Sequence, residues 1–140
     1  MNASANKELL RQFDEIVSTN DVARLDAICT PDMGNHALAP GRPAGLAGTR
    51  EYFETMGRHQ LTDHAWDELT VVGEGDLVMQ FGVASGNWLG GRFMGIDTPP
   101  GRFARDFAAM YRFHDGRIAE RWAVRDDLTM LRQLHALPTP

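Results

Sequence analysis

The sequence predicts an α+β fold in which N-terminal helices pack on one face of a curved antiparallel sheet. Before His64 the apolar residues recur at helical spacing, whereas from His64 onward they alternate with a period of two. A second helical pattern follows the last alternating segment. Helices that are segregated from strands in this way are typical of the α+β class, because α/β proteins alternate the two.

The first helix is predicted from apolar residues at helical spacing, and Asn6 or Ser4 is available as its N-cap. The apolar positions are Leu9, Leu10, Phe13, Ile16 and Val17. A short second helix is predicted to start at Asn20 and Asp21 and to stop at the TPD run, 30–32. The two helices would form a hairpin.

A loop and a third helix are predicted next. The segment APGRPAGLAG, 39–48, holds two prolines and three glycines, a composition that favours a loop. Thr49 is predicted to cap a third helix that carries Tyr52, Phe53 and Met56 on one side.

The second half of the chain is predicted to form an antiparallel meander. Its four strands are expected at 64–72, 76–86, 102–113 and 117–125. The GEGD run joins the first pair and the HDG run joins the last pair, and both are hairpin-type turns. A last helix is predicted over 127–135.

Composition indicates one globular domain over residues 1–140. Hydrophobic residues make up 43% and charged residues 24% of the chain, which is ordinary globular usage. No apolar run is long enough for a membrane helix and the start is polar, so we expect a cytoplasmic protein that does not bind a membrane. Cys29 is the single cysteine, which excludes an internal disulfide and indicates a buried packing residue.

Charge and histidine spacing exclude two classes of function. The formal net charge is -5, and 13 arginines are scattered along the chain with a single lysine, Lys7. A nucleic-acid site needs basic residues massed on one face, so we expect no nucleic-acid partner. None of the five histidines forms a metal-binding spacing such as HxxxH, so no metal site is predicted.

Strand parity selects the candidate site residues of the last strand. Alternation places two sets on opposite faces: Ile118, Glu120, Trp122, Val124 and Asp126 on one, and Arg117, Ala119, Arg121, Ala123 and Arg125 on the other. The first set is apolar apart from two carboxylates. We therefore predict that it faces a pocket between the sheet and the helices.

Asp126 has two interpretations. An apolar site could raise its pKa toward neutrality and make it a proton-transfer group. Alternatively, Asp126 or Asp127 could cap the terminal helix, where Asp is favoured. Two adjacent carboxylates allow both, with Asp126 pointing inward and Asp127 capping.

Three stretches resemble a known family. The run DGRIAERWAVRDDLTMLRQL looks like the C-terminal signature of the SnoaL-like polyketide cyclases, which belong to the nuclear transport factor 2-like superfamily. FMGIDTPPGR at 93–102 and NHALAPGRPAGLAGTREYF at 35–53 are similar to further parts of that family. The resemblance implies a cone-shaped α+β fold, a deep pocket for small hydrophobic molecules, and a homodimer or higher homo-oligomer.

The resemblance also implies a reaction. In the polyketide cyclases a carboxylate four residues after the tryptophan is the acid/base of an intramolecular aldol closure, with no metal and no organic cofactor. The corresponding residue here is Asp126, four after Trp122. His36 matches a histidine common in the family, and it could equally be a structural hydrogen-bonding residue.

One departure from the family pattern leaves the chemistry open. The cyclases carry a histidine on the strand before the last hairpin, where this sequence has Arg112. An arginine opposite Asp126 loosely resembles the limonene-epoxide-hydrolase-like relatives, which activate water for epoxide opening. Asp106 or Asp97 could then supply the further carboxylate.

We therefore predict Asp126, Arg112 and His36 as catalytic candidates. The predicted wall of the pocket comprises Trp122, Glu120, Trp88, Phe53 and Met110. Three functions remain open: a cofactor-free lyase or isomerase, an epoxide-hydrolase-like enzyme, and a protein that binds an apolar metabolite without catalysis. The outward strand face with Arg121, Ala123 and Arg125 is expected to pair with a second copy of the chain.

Overall fold

A computed structural model describes residues 2–138 of the chain. The helices are α1 (Ala3–Thr19), α2 (Leu25–Ile28, preceded by a 3-10 turn, Val22–Arg24), α3 (Leu46–Thr55, continued by a π-helical turn, Met56–Gln60) and α4 (Asp127–Gln133). The strands are β1 (Cys29–Asn35), β2 (Leu61–Glu74), β3 (Leu77–Trp88), β4 (Gly91–Phe93), β5 (Ile96–Thr98), β6 (Gly101–His114) and β7 (Arg117–Arg125).

Five strands form one curved sheet in the order β1-β7-β6-β3-β2. Strand β1 runs parallel to β7, and the other neighbours are antiparallel. The helices cover the concave face, where Phe13 of α1 packs edge-on against Phe53 of α3 and Tyr111 of β6, with ring centroids 5.7 and 5.4 Å apart. The predicted α+β class, with helices on a curved sheet, is therefore confirmed.

Helices α1 and α3 start earlier than predicted. Asn2, not Asn6 or Ser4, caps α1, because its side chain accepts a hydrogen bond from the Ala5 amide at 2.9 Å. Helix α3 begins after Gly45, whose positive φ of 73° reverses the chain there. Thr49 is consequently fully buried inside the helix, and its hydroxyl accepts from the Asn35 amide.

The predicted second helix is shorter than expected, and the strand after it was missed. The TPD run, 30–32, belongs to β1 rather than to a helix end. Strand β1 lies at the sheet edge, where Pro31 costs no ladder hydrogen bond on its open side. Its residues lack an alternating pattern because parallel pairing with β7, and not local sequence preference, forms the strand.

The four predicted strands are confirmed, each within a few residues of its predicted ends. A separate two-stranded ribbon, β4 and β5, was not predicted, and Gly90 and Gly91 lie at its start. Both glycines have positive φ values, 98° and 115°, that lead the chain into this ribbon.

A β-bulge in β7 reverses the predicted faces of that strand. Arg112 pairs with Glu120 but the next residue, Phe113, pairs with Ile118, so Ala119 is an extra residue in the ladder. Beyond the bulge, inward and outward positions exchange. The prediction that Glu120, Trp122, Val124 and Asp126 face the pocket is therefore wrong, as is the outward placement of Arg121, Ala123 and Arg125.

The convex face of the sheet carries exposed apolar side chains. Val124 is 71% exposed, and Phe81 and Met79 on β3 are 43% and 47% exposed. Cross-strand pairing aligns Trp122, Met110 and Met79 in one row. None of the helices between residues 2 and 138 combines the length and the apolar character that a membrane crossing requires.

Candidate functional site

A cavity of about 200 Å³ opens between the helices and the concave face of the sheet. Small side chains create the space, because Ala84 and Ala123 stand where larger residues would fill it. A side chain at Gly82 would not fit, since a Cβ there would lie 2.8 Å from the indole of Trp66. Aromatic rings of α1, α3 and the sheet form the walls: Phe13, Tyr52, Phe53, Trp66, Phe107 and Tyr111.

A hydrogen-bonded polar cluster lies in the cavity. Asp14 follows Phe13 on α1 and is partly buried. The Gln80 amide donates to the Asp14 carboxylate at 3.3 Å and to the Tyr111 hydroxyl at 3.4 Å. Arg121 Nε donates to the same hydroxyl at 3.1 Å. One carboxylate, one phenol and one guanidinium are thereby held together beside an apolar space.

Burial changes the ionisation of two members of this cluster. It raises the pKa of Asp14 to about 7, and the nearby Glu68 charge adds to this while Gln80 and Arg121 oppose it. Burial also raises the pKa of the Tyr111 phenol, which therefore stays protonated at neutral pH. Asp14 is thus poised to accept and return a proton near neutral pH.

Arg121 is a buried cation without a carboxylate partner. Its side chain is surrounded by four rings within 6.0 Å, those of Phe13, Phe53, Phe107 and Tyr111. Only 6% of the residue is exposed. Within residues 2–138 no carboxylate forms a salt bridge with it, and neither terminal nitrogen has a hydrogen-bond partner. A buried charge in this state is costly unless a bound group compensates for it.

A second polar cluster forms another part of the cavity wall. The Asp127 carboxylate lies 3.2 Å from Arg105 Nη1 and 3.3 Å from Arg125 Nη2. Arg125 also donates to the Tyr52 hydroxyl at 2.9 Å. Two cations share one carboxylate, so this part of the wall is positively charged overall.

Comparison with known proteins identifies the family. A family model described as SnoaL-like polyketide cyclase matches residues 7–134, which is nearly the whole chain. The chain belongs to the SnoaL-like polyketide cyclase family. Comparison with curated protein sequences finds no match.

Solved structures of similar fold agree with this family. TsrD from Streptomyces laurentii has 24% identity and a TM-score of 0.86, with 98% of this chain and 99% of that chain covered. IdmH from Streptomyces antibioticus, a proposed polyketide cyclase, has 28% identity and a TM-score of 0.76 over 92% and 97% of the two chains. AclR from Streptomyces galilaeus, a proposed hydroxylase, has 20% identity and a TM-score of 0.77 over 97% and 99%. The predicted nuclear transport factor 2-like cone is thus confirmed.

Asp126, in the SnoaL-like C-terminal signature, does not face the cavity as we predicted. Asp126 is the N-cap of α4, and its carboxylate accepts from the Thr129 amide at 3.1 Å and from the Thr129 hydroxyl at 2.6 Å. These hydrogen bonds lower its pKa, the opposite of what a neutral-pH base requires. The predicted orientation is wrong because the cap holds Asp126 outward, while Asp127 enters the cavity wall.

The other predicted catalytic residues lie together on the convex face. Arg112 contacts Asp76 at 2.9 Å and Glu120 at 3.4 Å. His36 Nε2 lies 3.0 Å from Glu120, and its ring stacks on Trp122 with centroids 4.8 Å apart. They form a connected polar surface outside the cavity, because Glu120, which the bulge in β7 turns outward, contacts both of them.

Of the predicted wall residues, Phe53 lines the cavity. Met110 lies on the convex face beside Trp122. Trp88 is buried away from the cavity, where its indole donates to the Thr98 carbonyl at 3.1 Å. The further carboxylates that we considered, Asp106 and Asp97, are exposed to solvent.

Sequence reasoning missed two cavity residues, Asp14 and Arg121, and the sequence contained a signal for only one of them. Asp14 stands between Leu10 and Val17 at helical spacing, so a carboxylate interrupts an otherwise apolar stripe. That pattern was a usable signal. Arg121 carried no such signal, because its inward position depends on the bulge at Ala119. In the described part of the chain, no group of three or more His, Cys, Asp or Glu side chains is arranged to hold a metal ion.

The cap assignment makes a testable prediction. Asp126→Asn should leave the unfolding temperature and any activity nearly unchanged, because Asn caps as well as Asp, whereas Asp126→Ala should lower the unfolding temperature by a few degrees. The Asp126 pKa is lowered from its ordinary value of 3.8, so the charged cap stabilises the fold at higher pH, and this contribution is lost as the pH falls through the lowered pKa. Thermal unfolding followed by circular dichroism measures both effects. A folded but inactive Asp126→Asn variant would contradict the assignment.

Proposed function

We propose that this SnoaL-like protein is a small-molecule enzyme that removes a proton next to a carbonyl and closes a ring by intramolecular aldol addition, without a cofactor. The observation that carries the proposal is the placement of the Asp14 carboxylate and the Arg121 guanidinium in one aromatic cavity, joined through Gln80 and Tyr111. The family membership and the description of IdmH as a proposed polyketide cyclase support the same class of reaction.

The proposed reaction uses Asp14 twice. Ionised Asp14 removes a proton from the carbon next to a substrate carbonyl, and the electron pair moves onto that carbonyl oxygen as an enolate. The enolate carbon then adds to a second carbonyl of the same molecule and forms the new carbon–carbon bond. Protonated Asp14 returns its proton to the resulting alkoxide, so the product is an isomer of the substrate.

Arg121 is proposed to stabilise the negative charge that develops on oxygen. Its two terminal nitrogens have no hydrogen-bond partner in the described residues, and its Nε is fixed by the Tyr111 hydroxyl. A fixed cation among rings attracts an enolate oxygen more strongly than one in water. Arg112, the arginine that the sequence suggested for the site, lies on the opposite face of the sheet.

The hydrolase alternative is not supported by the positions of Arg112 and Asp126. It required a buried Arg112 bonded to Asp126, but Arg112 pairs with Asp76 and Glu120 on the convex face, and Asp126 bonds to Thr129. A protein that binds its ligand without catalysis would use the same cavity. It is distinguished from the enzyme by the experiment that follows.

The proposal is tested by hydrogen exchange at carbon. The protein is incubated in D₂O with a panel of small aryl ketones and β-keto esters, and loss of the proton signal next to the carbonyl is followed by NMR. The expected result is exchange that is faster than in buffer and slower with Asp14→Asn. Exchange at the buffer rate across the panel, together with binding of the same compounds, would favour the non-catalytic alternative.

We also propose that a second copy of the chain covers the convex face of the sheet. Exposed Val124, Phe81 and Met79 form an apolar surface of the kind that oligomers bury, and β7 to β3 present it as one continuous face. Light scattering should show a dimer of the 15.6 kDa chain at micromolar concentration, and Val124→Glu should give a monomer. A wild-type monomer at that concentration would contradict the proposal.

A further inference from the structure

One wall of the cavity contains hydrogen-bond donors that have no partner. Arg105 is 7% exposed, and its Nε is buried without a hydrogen bond to any residue between 2 and 138. The indole Nε1 of Trp66 is buried in the same unpartnered state, as is Nδ1 of His64. All three residues line the cavity. Native proteins pair most buried hydrogen-bond donors, so three unpaired donors in one wall need an explanation.

Trp66 and Arg105 occupy one row across the sheet. Trp66 on β2 pairs with Ala84 on β3, and Ala84 pairs with Arg105 on β6. Neighbouring strands lie about 4.8 Å apart, so the two long side chains start from positions roughly 10 Å apart with a methyl group between them. This arrangement places Trp66 and Arg105 on either side of Ala84, and all three residues line the cavity.

The free edge of Arg105 has the shape that binds a carboxylate. Its Nη1 contacts Asp127, while neither Nε nor Nη2 hydrogen-bonds to a described residue. Phe93 and Phe103 lie within 5.8 and 5.0 Å of the guanidinium carbon and help to fix its plane. Two parallel N–H groups on a fixed plane match the two oxygens of a carboxylate.

The charges of the cavity favour an anion. Three arginines line it, Arg105, Arg121 and Arg125, against two carboxylates, Asp127, which pairs with two of them, and Asp14. Burial and the neighbouring Arg105 charge lower the pKa of His64, so its ring stays neutral at pH 7 and can donate one hydrogen bond. A ligand with one negative charge would reduce the excess of cations.

Size limits the rest of the ligand. The cavity of about 200 Å³ is somewhat larger than the roughly 150 Å³ apolar cavity that holds a benzene molecule, so one or two rings fit inside it. Phe107 links the two ends, since its ring lies 5.4 Å from that of Trp66 and 5.7 Å from the Arg121 guanidinium carbon. A ligand ring beside Phe107 would therefore reach both Trp66 and the Arg121 guanidinium.

We propose that Arg105 and Trp66, assisted by His64, bind the carboxylate of the substrate, so that the substrate is a keto acid with one or two rings. The carboxylate lies above Ala84, the rings lie against Phe107, and the reacting carbonyl lies at Arg121. The position of the reacting carbonyl rests on the proposed function, whereas the carboxylate site requires only binding.

The test uses 2-naphthoate as the probe and 2-naphthamide as its uncharged match. Calorimetry should show that the wild-type protein binds the acid at least about 10-fold more tightly than the amide, because a hydrogen bond to a charged group is the stronger one. Trp66→Phe should weaken binding of the acid by about 10-fold and change binding of the amide less. Trp122→Phe removes an indole from the convex face and should change neither.

NMR locates the bound acid directly. The chain has three tryptophans and hence three indole N–H signals, which the Phe variants assign. Naphthoate should shift the Trp66 signal and leave those of Trp88 and Trp122 in place. If Trp66→Phe does not fold, Arg105→Lys replaces it as the test variant, since it keeps the charge but loses the planar edge.

Equal binding of acid and amide, or a Trp66 signal that naphthoate does not move, would overturn the carboxylate site. Asp14→Asn separates this outcome from failure of the proposed function. The variant lacks the proposed base but keeps Arg105 and Trp66, so naphthoate should still shift its Trp66 signal. Tight naphthoate binding without any proton exchange at carbon would overturn the proposed reaction and leave the carboxylate site standing.

Discussion

Asp14→Asn is expected to lower turnover by about 100-fold or more while the protein stays folded. The amide has the shape of the acid and can still accept a hydrogen bond from Gln80, but it cannot remove a proton. In the wild type kcat/KM should rise with pH and level off above about 7, because the ionised carboxylate is the active form and its pKa is about 7. In the variant this step should disappear from the pH profile.

The same substitution should make the protein more stable at alkaline pH. The folded state raises the pKa of Asp14 above its ordinary value of 3.8, so the folded protein binds a proton that the unfolded chain has lost. Its effect on stability is therefore absent below about pH 4 and becomes a penalty as the pH rises to about 7. Asp14→Asn removes that penalty, and urea unfolding at pH 8 should show a gain of up to about 4 kcal/mol, the free-energy equivalent of a pKa that rises from 3.8 to about 7. A fully active or strongly destabilised variant would contradict the assignment.

Arg121→Met is expected to lower turnover by about 100- to 1000-fold without loss of stability. Removal of one group that stabilises a developing oxyanion has effects of this size in other enzymes. Stability should be maintained, because Met replaces a buried cation, which pairs with no carboxylate of residues 2–138, with an apolar side chain of similar length. Kinetics and urea unfolding on the same preparations measure the two effects together.

Two further variants test whether the loss of turnover is specific to Arg121. Arg121→Lys keeps the charge but loses the Nε contact to Tyr111, so it should retain part of the activity. Arg112→Met removes an arginine from the convex face, where Asp76 and Glu120 bind it, and should leave turnover unchanged. If Arg112→Met were inactive and Arg121→Met active, the site would lie on the convex face with Arg112, the arginine that the sequence suggested.

The fold was predictable because its signals are local. Helix α1 and the four long strands follow the apolar period of their own residues, and the C-terminal signature identified the family. Strand β1 was not predictable in this way, because parallel pairing with β7 makes residues 29–35 extended. The β4–β5 ribbon depends on positive φ values at Gly90 and Gly91, which the sequence permits but does not require.

The site was less predictable because one inserted residue in β7 decides which side chains face the cavity. Strict alternation along β7 is a sound rule, but the bulge at Ala119 reverses it for every later position. Arg121 consequently lies inside the cavity, and Trp122 lies outside. A similar local effect separated Asp126 from Asp127: the first residue of the pair became the helix cap, so the second entered the wall.

Direct titration of Asp14 tests the central claim without any knowledge of the substrate. The side-chain carboxyl carbons of aspartate are labelled with ¹³C, and the signal that Asp14→Asn removes is followed as a function of pH. A midpoint near 7, accompanied by a shift of the Gln80 side-chain amide signal that shares the hydrogen bond, is the predicted result. A midpoint near 4, the value of an ordinary exposed aspartate, would contradict the role of Asp14 as the acid/base.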